Sequence, residues 1–113
     1  MKNLISTLVL LVAFSMLSLA QGAKPTQATF TAHGNCSQCK ARIEKALQIK
    51  EVKLAKWSRS DQAVTVVYNS SAITLDSLQH RVALVGHDTE KYKAADVAYN
   101  ALPSCCLYRK SEK

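Results

Sequence analysis

From Ala28 to Lys93 the apolar positions of this chain change period in a set order: two, near 3.6, two, two, near 3.6, two. Each change of period marks a change of element, so few folds remain open. Ala28-Thr29-Phe30-Thr31-Ala32-His33 alternates small or apolar residues with polar ones, as a half-buried strand does, and Gly34-Asn35 breaks it. Cys39, Ile43, Ala46 and Leu47 then recur at helical spacing, with Lys40, Arg42, Glu44 and Lys45 on the other faces. Val52, Leu54 and Trp57 fit a second strand, Arg59-Ser60-Asp61 a turn, and Ala63 to Tyr68 a third strand rich in β-branched residues, which together make a hairpin. Thr74 is placed to cap a second helix with Leu75, Leu78, Val82 and Val85 on one stripe, and Gly86 stands where that helix should stop. His87 to Lys93 reads as a fourth strand. The order predicts an α+β fold, a ferredoxin-like βαββαβ sandwich with two helices on one face of a four-stranded antiparallel sheet and a short C-terminal extension.

The chain has 113 residues, enough for one small domain and too few for a large enzyme with a deep cleft. Its most apolar stretch falls outside the pattern above. Met1-Lys2-Asn3 is a short positive start, Leu4 to Leu19 an apolar run, and Ser18-Leu19-Ala20 the small residues a signal peptidase accepts, so residues 1–20 are expected to be a secretory signal. Cleavage after Gly22 satisfies the same small-x-small rule. An uncleaved anchor is the alternative, but the run is shorter than the roughly 20 residues of a spanning helix. No Cys follows it to carry a lipid. The expectation is a periplasmic or secreted protein with no stable membrane anchor: a polar leader at 21–26, a domain at 27–93 and an extension at 94–113. Fifteen Lys and Arg against eight Asp and Glu, net +7, favour acidic protein partners, and the extracytoplasmic address argues against nucleic acid.

Cys36-Ser37-Gln38-Cys39 lies between the first strand and the first helix. Two thiols at this spacing can turn toward one point. An adjacent helix N-terminus, with Lys40 nearby, favours thiolate, the form that ligates metals or attacks disulfides. The bland reading is a short-loop disulfide or inert packing. Cys39 sits on the apolar stripe and should be partly covered; Cys36 belongs to the loop and should be the exposed, entering ligand.

Gly34-Asn35-Cys36-Ser37-Gln38-Cys39-Lys40, followed by Ile43-Glu44-Lys45-Ala46-Leu47 within this element order, resembles the heavy-metal-associated (HMA) domain family over about residues 27–93. The secreted single-domain members it is similar to are periplasmic mercury-binding proteins and copper carriers. The resemblance implies that Cys36 and Cys39 bind a soft metal ion and that the domain passes it to a transporter or another HMA domain. Gly34 departs from the family, which usually has Met there, packed beneath the loop; the departure bears on loop rigidity and affinity more than on binding itself.

Two thiolates suit Cu(I) or Hg(II), whereas Zn(II) asks for four ligands. Zinc-directed relatives often carry an acidic residue beside the motif where this chain has Asn35, which favours Cu(I), with Zn(II) and Hg(II) still open. The resemblance also makes His87, in the loop after the second helix, a candidate third ligand, against a strand-start His with no metal role. His33 and His80 read as surface residues. Adjacent Cys105 and Cys106 do not form an ordinary unstrained disulfide. They either fold back toward Cys36 and Cys39 as a four-sulfur site or remain tail thiols covering the sheet edge. Lys40, Arg42, Lys45, Lys50, Lys53 and Lys56 are either a docking face around the metal loop or an ordinary solvated surface. The function expected is a non-enzymatic carrier or scavenger of metal by ligand exchange. The alternative is a thiol-disulfide oxidoreductase using the same C-x-x-C, disfavoured because no proline between Pro25 and Pro103 is available to face the thiols.

Overall fold

The computed structural model describes residues 25–109. The expected signal at 1–20, the first part of the polar leader and the last four residues lie outside the described residues. Strands β1 (Thr26–Thr31), β2 (Val52–Ser58) and β3 (Ala63–Tyr68) form an antiparallel sheet in the order β1-β3-β2. Helix α1 (Ser37–Ala46) joins β1 to β2, and α2 (Leu75–Leu84) follows β3. Phe30, Val64, Val66, Tyr68 and Trp57 meet Ile43 of α1, Leu47 at its C-cap, and Leu78 and Val82 of α2 in one buried cluster. The alternation of β3, with Val64, Val66 and Tyr68 inward, explains why both helices lie on the same face. Among the described residues no helix is long and apolar enough to cross a membrane.

Local signals account for the element ends. Thr74 Oγ1 accepts a hydrogen bond from the Ser77 N–H (3.1 Å), the cap that starts α2. Gly86, just past the end of α2, has φ of 105°, a backbone conformation that side chains disfavour. In β2 the register slips between Val52 and Leu54, one extra residue against β3. The slip turns Leu54 outward, 54% exposed, while Ala55 and Trp57 face the helices.

The fourth strand expected over His87 to Lys93 is a correction: among the described residues the sheet has three strands. That segment meets β1 through one antiparallel bridge, Ala32 to Thr89, and through the His33 N–H to the Asp88 carbonyl (2.9 Å). Hydrogen bonds made by the segment's own backbone and side chains stop the ladder from extending. Asp88 accepts the Ala94 N–H (2.7 Å), and the Thr89 N–H bonds the Tyr92 carbonyl (2.8 Å), closing a tight loop. Glu90 Oε1 takes the Thr31 N–H (3.2 Å) that a partner strand's carbonyl would otherwise accept.

The extension folds back instead of trailing away. Helix α3 (Asp96–Asn100) and a single 3₁₀ turn (Ser104–Cys106) form a strap packed beside the start of α1. A Cβ on Gly86 would lie 2.9 Å from the Ala98 carbonyl oxygen and 2.9 Å from Leu102 Cδ2, so only glycine lets the strap seat there.

Candidate metal site

The loop between β1 and α1 is braced from below. The Gly34 N–H donates to Gln62 Oε1 (3.1 Å), the Ala32 N–H bonds the Gln62 carbonyl (2.9 Å), and Gln62 holds the β2–β3 turn at φ of 51°. Trp57 lies under the loop, its indole N–H on the Ala32 carbonyl (2.8 Å). A Cβ at Gly34 would stand 2.9 Å from Cys39 Cβ and 3.0 Å from Trp57 Cζ2. The indole therefore occupies the space beneath the loop, and Gly34 is what leaves room for it. Lys40, read above as a neighbour favouring thiolate, is engaged elsewhere: its Nζ binds Glu44 and the Trp57 carbonyl (3.0 Å), and Glu44 accepts the Trp57 N–H (2.9 Å).

Cys36 occupies the N-cap position of α1, and Cys39 sits on the first turn, fully buried. Their Sγ atoms are 3.5 Å apart. Cys39 is covered, as the helical stripe implied, whereas Cys36, expected to be exposed, is half-buried. A third sulfur joins them: Cys106, also fully buried, places its Sγ 3.5 Å from that of Cys36. The three sulfurs all lie within 4.8 Å of one another. Leu102, Tyr99 and Tyr108 pack around them. Cys105 is exposed, its Sγ 4.0 Å from that of Cys106, at the rim of the group.

Burial raises the Cys36 thiol, but hydrogen bonds from the Cys105 thiol, the Cys39 backbone N–H and the Cys106 and Cys39 thiols outweigh it and draw it down to about 6. Burial first, then the neighbouring sulfurs, push Cys106 well above the ordinary thiol range. At neutral pH Cys36 is thus a thiolate that accepts from its neighbours.

His87 is placed differently from the expectation. It is fully buried, its Nδ1 is 2.7 Å from the His33 carbonyl oxygen, and its Nε2 has no hydrogen-bond partner. Tyr108 stacks on it with centroids 5.6 Å apart. Burial lowers its pKa below the ordinary imidazole value, opposed by the His33 carbonyl, so the ring is neutral at pH 7. Its nitrogens are not in the sulfur group. His33 and His80 are exposed, as read from sequence. What the residue pattern left open was the docking of Cys106; its one visible signal was the Cys-Cys pair after Pro103.

No family model matches the chain, and no curated protein sequence matches it. Solved structures do. The N-terminal domain of a potential copper-translocating P-type ATPase from Bacillus subtilis, in its Cu(I)-loaded state, is 31% identical with a TM-score of 0.54, over 57% of this chain and 84% of that one. The chain belongs to the heavy-metal-associated domain family. A CopZ metallochaperone is similar at 26% identity and a TM-score of 0.54, over 57% of this chain and 98% of that one. The apo HMA domain of a copper chaperone for superoxide dismutase shares the fold at 23% identity and a TM-score of 0.50, over 74% and 87%. Nearly the whole of CopZ is thus matched by little more than half of this HMA chain, which leaves a large part of it without a counterpart there.

Proposed function

We propose that this protein binds a soft metal ion, Cu(I) ahead of Zn(II) or Hg(II), through Cys36 and Cys39, and hands it on by ligand exchange outside the cytoplasm. The observation that carries the reading is the pair of sulfurs 3.5 Å apart on one loop, one covered and one accessible, with the accessible one a thiolate at neutral pH. The similar proteins support it, since one is a metallochaperone and another a Cu(I)-loaded domain. His87, tied to the His33 carbonyl and covered by Tyr108, is left out of the ligand set. The partner is an acidic-faced protein, a transporter or another HMA domain, that donates or accepts the ion. The chemistry is exchange of thiolates on the ion and needs no catalytic acid or base. The extracytoplasmic address rests on the leader sequence from Met1 to Ala20.

Titration of the reduced protein with Cu(I) against a competing chelator tests this. One ion should bind per chain, and Cys36→Ser combined with Cys39→Ser should abolish uptake. Uptake that survives the double substitution sinks the proposal. Turnover in insulin reduction would favour the oxidoreductase instead.

A further inference from the structure

The loop pair does not use all the sulfur that the fold brings to it. We propose that the C-terminal strap delivers Cys106 as a third thiolate, so that the ion is held by Cys36, Cys39 and Cys106, and that seating of the strap sets how readily it is released. This rests on the soft-metal reading above and says how that site is completed.

The geometry favours three sulfurs over two. With metal–sulfur bonds of about 2.3 Å, a linear two-sulfur site needs sulfurs roughly 4.6 Å apart, and a trigonal one needs a triangle roughly 4 Å on a side. Cys36 and Cys39 stand 3.5 Å apart, Cys36 and Cys106 3.5 Å, and all three lie within 4.8 Å, which is close to the triangle. Two thiolates come from one loop and the third from 70 positions further along the chain.

The third arm is fixed by bonds to the segment that follows α2. The Tyr108 hydroxyl donates to the Gly86 carbonyl (2.8 Å) and accepts the Asp88 N–H (2.7 Å). Arg109 grips the Asp88 carboxylate with Nη2 (2.7 Å) and Nε (3.1 Å), and Nη2 also reaches the Ala94 carbonyl (2.6 Å). Its guanidinium lies 4.3 Å from the centre of the Tyr99 ring. These contacts set Cys106 and Leu102 against Cys39. Release then needs no redox step: a partner thiolate bonds the ion as the Cys106–metal bond breaks, and Cys106 takes up a proton equivalent to the one the partner's thiol gave up. Cys105 stays at the rim and is not required.

X-ray absorption of the reduced, monomeric full-length protein with one equivalent of Cu(I) should show three sulfurs around the ion. Cys106→Ser should show two and weaken Cu(I) in chelator competition by at least about tenfold, whereas Cys105→Ser should keep three. Tyr108→Phe, which leaves every thiol in place, should speed transfer of Cu(I) to the chelator. Two sulfurs in the wild type, or three surviving Cys106→Ser, overturns the third-ligand proposal while leaving the two-cysteine reading intact. A wild type that takes up no Cu(I) overturns both.

Discussion

At the scale of single residues, the position before the metal loop shows how a small side chain and a large one divide one volume. The chain has Gly34 where the family usually has Met, and the Trp57 indole fills the space beneath the loop. Restoring the family residue should therefore harm this protein. Gly34→Met forces a Cβ to 2.9 Å from Cys39 Cβ and against the indole, an overpacking cost of about 2 kcal/mol, roughly 10 °C in Tm for a domain this small. In a Trp57→Leu background the added loss should shrink by at least about 1 kcal/mol, because the two changes compete for the same space. Urea denaturation of the four proteins measures the coupling, and equal losses in both backgrounds would remove the shared-volume explanation.

At the scale of elements, β1, α1, the β2–β3 hairpin and α2 were legible because each states its period locally and has its own stop, Thr74 and Gly86 being the clearest. The Cys36–Cys39 pair was legible for the same reason, since three residues at the start of a helix fix its geometry. Two features were not. The segment from His87 to Lys93 has a strand's composition, yet Asp88, Thr89 and Glu90 capture the backbone groups a ladder would use. The seating of Cys106 depends on Tyr108 and Arg109 finding partners about twenty residues upstream, which no period announces. That seating carries a pH signature. Burial raises the Asp88 carboxyl, but the Arg109 guanidinium and the Ala94 N–H together hold it below its ordinary value of 3.8. A carboxyl lowered on folding contributes stability above its unfolded value and loses it as pH falls through the folded one. Protection of the Leu107 and Tyr108 amides from hydrogen exchange should accordingly be constant from pH 7 to about 5 and fall away below pH 4. Asp88→Asn should weaken it throughout, by about 2 kcal/mol, and abolish the acid step. An acid step that survives Asp88→Asn would place the titrating group elsewhere.

At the scale of the whole molecule, the question is where the excess positive charge of +7 acts. The six basic residues grouped between Lys40 and Lys56 do not all lie near the metal loop. β1 enters that loop from Thr31, which pairs with Ala63, itself opposite Ser58, so the turn residue Arg59 lies at the metal end of the sheet and Lys56 two residues in from it. Lys50 and Lys53 lie at the other end, around a shallow hollow with Pro25 and Asn69, where Thr26 pairs with Tyr68. Lys45 closes α1 at its C-terminus, away from the cysteines, and Lys40 is bound to Glu44. The ends of the sheet are separated by about 20 Å, the length of a six-residue strand, more than twice the Debye length of about 8 Å at physiological salt. Charge at the far end is therefore screened from a partner docked over the sulfurs, and charge at the near end is not. For Cu(I) transfer to an acidic HMA domain at 0.15 M salt, replacing Lys56 and Arg59 together by Gln should slow the second-order rate by about fivefold or more, and the same change at Lys50 and Lys53 by less than about twofold. Stopped-flow transfer at two salt concentrations decides it. Equal slowing by both pairs would mean that the field of the whole protein, and not a docking face at the metal end, guides the encounter.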